Sequence, residues 1–193
     1  MGSKGRGEAV YYREKMKNFI LILIVSLVVG GCGYTTRSMM DPSIKTIYVK
    51  PFENKIEFGS LDNVYSKLKT YYPHLETDIT NAVVDRFLFD GNLKIVKQED
   101  ADVILKGELV DYRRDVLRYT EDEENVEEYR LNIVVNISLW NTKENKLLWQ
   151  ENNFTGETTY FISGSKAKSE AAAIKDGITD LATRIVERAI ENW

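Results

Sequence analysis

Fourteen residues near the start, Phe19-Ile-Leu-Ile-Leu-Ile-Val-Ser-Leu-Val-Val-Gly-Gly-Cys32, constrain the rest of the chain most. Lys15 and Lys17 stand ahead of an apolar run from Phe19 to Val29, which closes on two glycines and a cysteine. A positive n-region, an apolar h-region and a small-residue cleavage site, in that order, read as a secretory signal and not as mature structure. As a membrane-crossing helix the run is short: eleven residues rise about 16 Å, roughly half the ~30 Å hydrocarbon core. As a buried core helix it fits poorly, because Gly30-Gly31 weakens its end and no polar face accompanies it. Residues 1–31 are therefore expected to be a signal peptide, with the mature chain starting at Cys32. Met16-Lys17 makes a compact start, so Met1 to Lys15 is either an upstream leader or a long n-region.

Val29-Gly30-Gly31-Cys32 resembles the lipobox of bacterial lipoproteins, with Val29 where Leu is commoner. The resemblance implies that the Cys32 thiol is acylated before cleavage and becomes a lipid-bearing N-terminus. Gly33 follows it in place of Asp, which by the same resemblance implies sorting to the outer membrane. A plain secretory signal or an anchor is the alternative.

Cleavage leaves 162 residues of the 193, enough for one domain that buries about 70 % of its unfolded surface. The whole chain has 26 basic and 30 acidic side chains, of which five and two precede Cys32. The mature part thus holds 21 against 28, a net −7, and an acidic body argues against nucleic acid as a partner. One cysteine makes no intramolecular disulfide, although the signal directs the chain to an oxidising compartment. Eleven Tyr and seven Phe suit a sheet-rich protein.

Residues 32–43, Gly, Thr, Ser and Met with Pro42, read as a tether to a single domain over 44–193. Ile44-Lys-Thr-Ile-Tyr-Val-Lys50 reads as a strand closed by Pro51. Leu75, Ile79, Ala82, Val83, Arg86 and Phe87 have helical spacing, ended by Asp90-Gly91. Leu93 to Val96 begins a second extended piece that Val103 to Tyr119 continues, and an acidic loop, Glu121 to Asn125, follows. Glu128 to Trp140 alternates most cleanly: Tyr129, Leu131, Ile133, Val135, Ile137 and Leu139 on one face, mainly polar residues such as Asn132 on the other. Lys146 to Thr159 returns, with Leu147 and Trp149 expected inward and Phe154 and Tyr160 outward with Val134 and Trp140. A last helix carries Ile174, Ile178, Leu181, Ile185 and Ala189 as its apolar stripe, capped by Ser165 or Ser169. The expected fold is α+β: a four-stranded, mostly antiparallel sheet with two helices packed on one face, in the order β-α-β-β-β-α.

Catalytic patterns are missing. His74 is the only histidine, and triads and metal sites need partners it lacks. Ser163-Gly-Ser165 has no nucleophile-elbow context, no Gly-rich phosphate loop occurs, and no cofactor is implied. Arg113, Arg114 and Arg118 are the candidate ligand-binding residues, because guanidinium forks suit phosphate. Arg114 and Arg118 are expected on one strand face with Tyr112 and Val116. The competing reading is that they neutralise Glu121 to Glu128 across the hairpin.

Four blocks in order carry a resemblance: Cys32-Gly-Tyr34; Ile44-Lys-Thr-Ile-Tyr-Val-Lys-Pro-Phe-Glu-Asn54; Asn81-Ala-Val-Val-Asp-Arg-Phe87; and Ala101-Asp-Val-Ile-Leu-Lys-Gly-Glu-Leu109 with Tyr112-Arg113. The mature chain is similar to the lipopolysaccharide-assembly lipoproteins, the LptE family. That resemblance implies a sheet with two helices and no enzymatic activity. It also implies an outer-membrane lipoprotein that plugs the lipopolysaccharide transport barrel LptD, aiding its assembly and lipopolysaccharide delivery. Glu57 to Pro73 is long beside the family's usual link into the first helix. The family's lipopolysaccharide-binding basic residues fall in no block that aligns here, and none is carried over. The alternatives are another envelope assembly lipoprotein, such as a self-assembling secretion-pore component, and a lipid-anchored hydrolase, for which no constellation exists.

Overall fold

The computed structural model describes residues 43–56, 72–122 and 124–191. The signal segment, Cys32, most of the tether and the 57–71 link lie outside the described residues. The elements are β1 (Thr46–Val49), β2 (Glu53–Asn54), α1 (Leu75–Asp90), β3 (Lys94–Ile95), β4 (Val103–Tyr119), β5 (Val126–Asn141), β6 (Lys146–Phe161) and α2 (Glu170–Glu191). A 3-10 turn, Gln98–Asp100, separates β3 from β4.

The fold is α+β with both helices over one apolar sheet face, as the periodicities indicate. The sheet has six strands instead of four, in the order β3-β1-β4-β5-β6, with β2 also on β4. Helix α1 is the crossover between parallel neighbours β1 and β3, and β1 pairs parallel with β4 too. The extended piece from Leu93 is thus not the beginning of β4: it lies on the far side of β1. Two-residue strands such as β2 and β3 carry no alternation, so only their pairing reveals them. The long meander β4-β5-β6 is antiparallel, so the sheet is mixed.

Leu75, Ile79, Val83 and Phe87 of α1 are buried, and the helix ends at Gly91, whose left-handed φ of 75° suits a residue without Cβ. The Gly91 N–H donates to the Phe87 carbonyl at 3.0 Å. Ser169 caps α2, its Oγ accepting from the Ala172 N–H at 3.2 Å. Ile174, Ile178, Leu181, Ile185 and Ala189 are buried against Leu131, Ile133, Val135, Ile137 and Leu139. Helix α2 crosses β6 closely at Gly156: a Cβ there would stand 2.4 Å from the Leu181 Cβ.

Register shifts change several inward and outward assignments. Leu139 pairs with Trp149 and Trp140 with Leu147, so Leu148 is an extra residue in β6. Trp149 is therefore inward and Leu147, contrary to strict alternation, is exposed. A second irregularity pairs Val135 with Phe154 and Ile137 with Glu151, with Asn153 in the left-handed region. It turns Phe154 and Tyr160 inward; Tyr160 is buried and Phe154 packs against the core. Asn132 is buried as well, its Nδ2 donating to the Asp115 Oδ2 at 2.8 Å.

Candidate functional site

The sheet face opposite the helices is the candidate site, because it joins apolar and polar groups that no helix of the domain uses. Tyr48, Ile104 and Trp140 occupy successive paired positions at one end. Beside them Lys106 pairs with Ser138 and Glu108 with Asn136. Lys106, Glu108, Asn136, Ser138 and Trp140 line a shallow dimple of about 200 Å³ with Gly107, Ile137 and Gln150. Trp140 is half-buried, its Nε1–H donates to the Ser138 Oγ at 3.1 Å, and the Lys106 Nζ lies 4.4 Å from its ring centroid. Toward the far end the face passes through Val134 and Asn132 to Asp111, Arg113, Asp115 and Arg130. Alternation in β5 made half of this face legible; the contributions of Tyr48, Lys106 and Glu108 needed the strand order.

The three arginines are not one cluster. A bulge at Val110 lets Leu109 pair with Val135 and Tyr112 with Ile133, which turns Tyr112 and Arg114 toward the helices. There the Arg114 Nη1 donates to the Glu170 Oε2 at 2.7 Å, and its guanidinium sits 4.6 Å from the Tyr129 ring centroid. The Tyr112 hydroxyl donates to the other Glu170 oxygen at 3.1 Å. Burial first, and the Glu170 carboxylate next, push the Tyr112 hydroxyl above its ordinary range. This group ties the first turn of α2 to the sheet. A second bulge between Val116 and Arg118 pairs Arg118 with Glu128, so Arg118 leaves the face that Arg114 and Val116 share, against the simple alternation. The Arg118 Nε is 3.6 Å from a Glu128 oxygen. Arg113 lies on the bare face between Asp111 and Asp115, at 3.3 and 3.4 Å. Only Arg118 thus neutralises the hairpin's acidic stretch; Glu170 and Asp111 lie too far away in sequence, or on the same strand, for cross-hairpin reasoning to find them.

His74 is exposed at the start of α1 with φ 64°. Among the described residues no group of three or more metal-ligating side chains occurs, and no helix is long and apolar enough to cross a membrane.

Residues 44–189 match the LptE family, described as lipopolysaccharide-assembly. The chain belongs to the LptE family. LptE members are non-enzymatic assembly lipoproteins, which places this chain among envelope lipoproteins. Its fold is similar to that of protein XCC0632 from Xanthomonas campestris, with a TM-score of 0.51 at 13 % identity, over 81 % of this chain and 91 % of that one. The rare lipoprotein B of Shewanella oneidensis has a TM-score of 0.43 at 16 % identity, over 75 % of this LptE-family chain and 93 % of its own. A PelC dodecamer subunit from Paraburkholderia phytofirmans has a TM-score of 0.46 at 13 % identity, over 79 % and 96 %. No curated protein matches the chain in sequence.

Proposed function

We propose that this LptE-family chain is an outer-membrane lipoprotein that partners and plugs the lipopolysaccharide transport barrel LptD, aiding the barrel's assembly and lipopolysaccharide delivery. In this reading residues 1–31 are removed, Cys32 carries the lipid, 32–43 is the tether and 44–193 is the working domain. The observation that carries the proposal is the bare sheet face, where Trp140 stands among Lys106, Ser138, Asn136 and Gln150, with Tyr48 two strands over in the same row. Aromatic side chains embedded in hydrogen-bonding groups are what a wet yet specific interface uses. A barrel lumen is polar and can be plugged by another element. Arg113, Arg114 and Arg118 are the cations this reading offers to lipopolysaccharide phosphates, each by exchange of a carboxylate partner.

Photo-crosslinkers at Asn136, Ser138 and Asn152 test the interface. The expected result is capture of the barrel, with correctly assembled barrel falling when this protein is depleted. Capture of nothing but copies of itself, with barrel levels steady on depletion, overturns the proposal in favour of a self-assembling envelope lipoprotein.

A further inference from the structure

We infer that the end of the domain where the tether enters rests on a phospholipid leaflet through Leu88 and Phe89. The inference rests on the lipoprotein reading above and adds a second, protein-borne contact to it. Its basis is the distribution of exposed large hydrophobic side chains. Six are exposed among the described residues: Leu88, Phe89, Leu117, Tyr119, Leu147 and Ile162. The topology sorts them into two groups at opposite ends of the strands.

Helix α1 is the crossover between parallel strands, so its C-terminus returns to the end at which β1 begins. Thr46 pairs with Lys94, and the Lys94 N–H donates to the Lys45 carbonyl at 3.0 Å. Leu88 and Phe89, 63 % and 81 % exposed in the last turn of α1, therefore stand at the end where the chain enters from Ser43 and Ile44. Leu147, one residue into β6, shares this end, because Lys146 pairs with Asn141 and Asn141 with Val103. Leu117, Tyr119 and Ile162 lie about the distal turn between β4 and β5, whose loop is acidic.

The chain outside the described residues identifies the occupant. From Cys32 to Ser43 there are twelve residues, which span at most about 40 Å when fully extended. A lipid on Cys32 thus keeps this end within that reach of the headgroups. Apolar side chains projecting from a tethered end meet the leaflet at high effective concentration, and a bulky aromatic with an adjacent cation suits the interfacial zone. Arg86 provides that cation, 5.3 Å from the Phe89 ring centroid. Charge does not drive the contact: Arg86, Lys45, Lys94, Lys97, Lys143 and Lys146 stand around this end with Asp90, Glu99, Asp100, Asp102 and Glu144, so the two signs nearly cancel. Association is therefore expected to be indifferent to anionic lipid.

The test uses the full mature lipoprotein in vesicles of phosphatidylethanolamine and phosphatidylglycerol, some doped with nitroxide lipids. Phe89→Cys, Leu88→Cys and, as the control, Tyr119→Cys receive an environment-sensitive fluorophore; all three positions are exposed, so the fold tolerates the label. The expected result is blue-shifted emission at 88 and 89 that nitroxide lipid quenches, with 119 remaining water-like, and the same pattern in phosphatidylcholine. Water-like emission at all three positions in protein whose Cys32 is acylated by mass spectrometry overturns the inference and leaves the lipoprotein reading standing. A blue shift that nitroxide lipid does not quench also overturns it, since protein, including a second copy, is then the cover. Unacylated Cys32 with water-like labels removes both readings.

Discussion

Two glycines on either side of the same helix–sheet seam should respond to alanine in opposite directions. Propensity alone favours alanine at both, by about 0.5–1 kcal/mol in a strand and about 1 kcal/mol in a helix. At Gly156 in β6 the structure reverses that sign. A Cβ there would meet the Leu181 Cβ at 2.4 Å, the Leu181 Cα at 2.8 Å and the Gly177 carbonyl oxygen at 2.9 Å. Two of those three atoms are backbone, so no rotamer change relieves the clash and α2 must lift from the sheet. Overpacking of this kind costs about 1–3 kcal/mol, and the backbone contacts place Gly156→Ala toward the upper part of that range. At Gly177 in α2 the added methyl would touch the Ile133 Cδ1 and Leu131 Cδ2 at 3.4 Å and the Thr158 Cγ2 at 3.6 Å. Those are ends of side chains near van der Waals distance, so Gly177→Ala should be neutral or stabilising by up to about 1 kcal/mol. Urea unfolding followed by tryptophan fluorescence reads both, since Trp149 is buried beside α2 at 4.7 Å from the Arg188 guanidinium. With a urea slope of about 1–3 kcal/mol/M, Gly156→Ala should lower the midpoint by about 1 M and Gly177→Ala should leave or raise it. Equal shifts of the same sign at the two positions would refute the close crossing of α2 over β6.

Ile133→Ala should cost about 2–5 kcal/mol, because Ile133 is fully buried between the sheet and α2. Asn132→Ala, which loses one hydrogen bond to Asp115, should cost about 1 kcal/mol, and equal costs in denaturation would contradict the register of β5. The Asp102 carboxylate is held well below the usual carboxylate range by the Lys143 ammonium at 2.6 Å, then by the Lys45 N–H and Thr46. A depressed pKa stabilises the fold above the ordinary value of about 4 and loses that contribution as pH falls below it. Asp102→Asn should therefore be less stable than the parent at neutral pH, with the gap closing in acid; a gap independent of pH counts against this role. Arg114→Met should cost about 1–3 kcal/mol by taking the cation away from the Glu170 carboxylate, which then keeps only the Tyr112 hydroxyl of these two partners, as thermal unfolding would show. Arg118→Gln, at a side chain 60 % exposed, removes only a cross-strand pair with Glu128 and should cost less than about 1 kcal/mol while weakening lipid A binding in a salt-sensitive way; full retention of binding would remove Arg118 from the phosphate contacts.

The sequence by itself determined the features that depend on local period and local chemistry. The 3.6-residue stripes from Leu75 to Phe87 and from Ile174 to Ala189 are buried as their spacing requires, and Gly91 and Ser169 end and begin helices by their own backbone chemistry. Alternation in β5 likewise identified Leu131 to Leu139 as the core face, because a strand with one wet side must segregate its residues by parity. The four blocks from Cys32 to Arg113 were enough to indicate the family. Tertiary structure decided the rest, since parity survives only while pairing is regular. Bulges at Val110, Leu117, Leu148 and Asn153 each insert a residue opposite none, and beyond each one the inward and outward sets exchange. That is why Arg114 and Arg118 part company, why Leu147 is exposed, and why Phe154 and Tyr160 turn inward. The short strands β2 and β3 exist only through partners already in place. Glu170 meets Arg114 across 56 positions of sequence, a distance that no local pattern encodes.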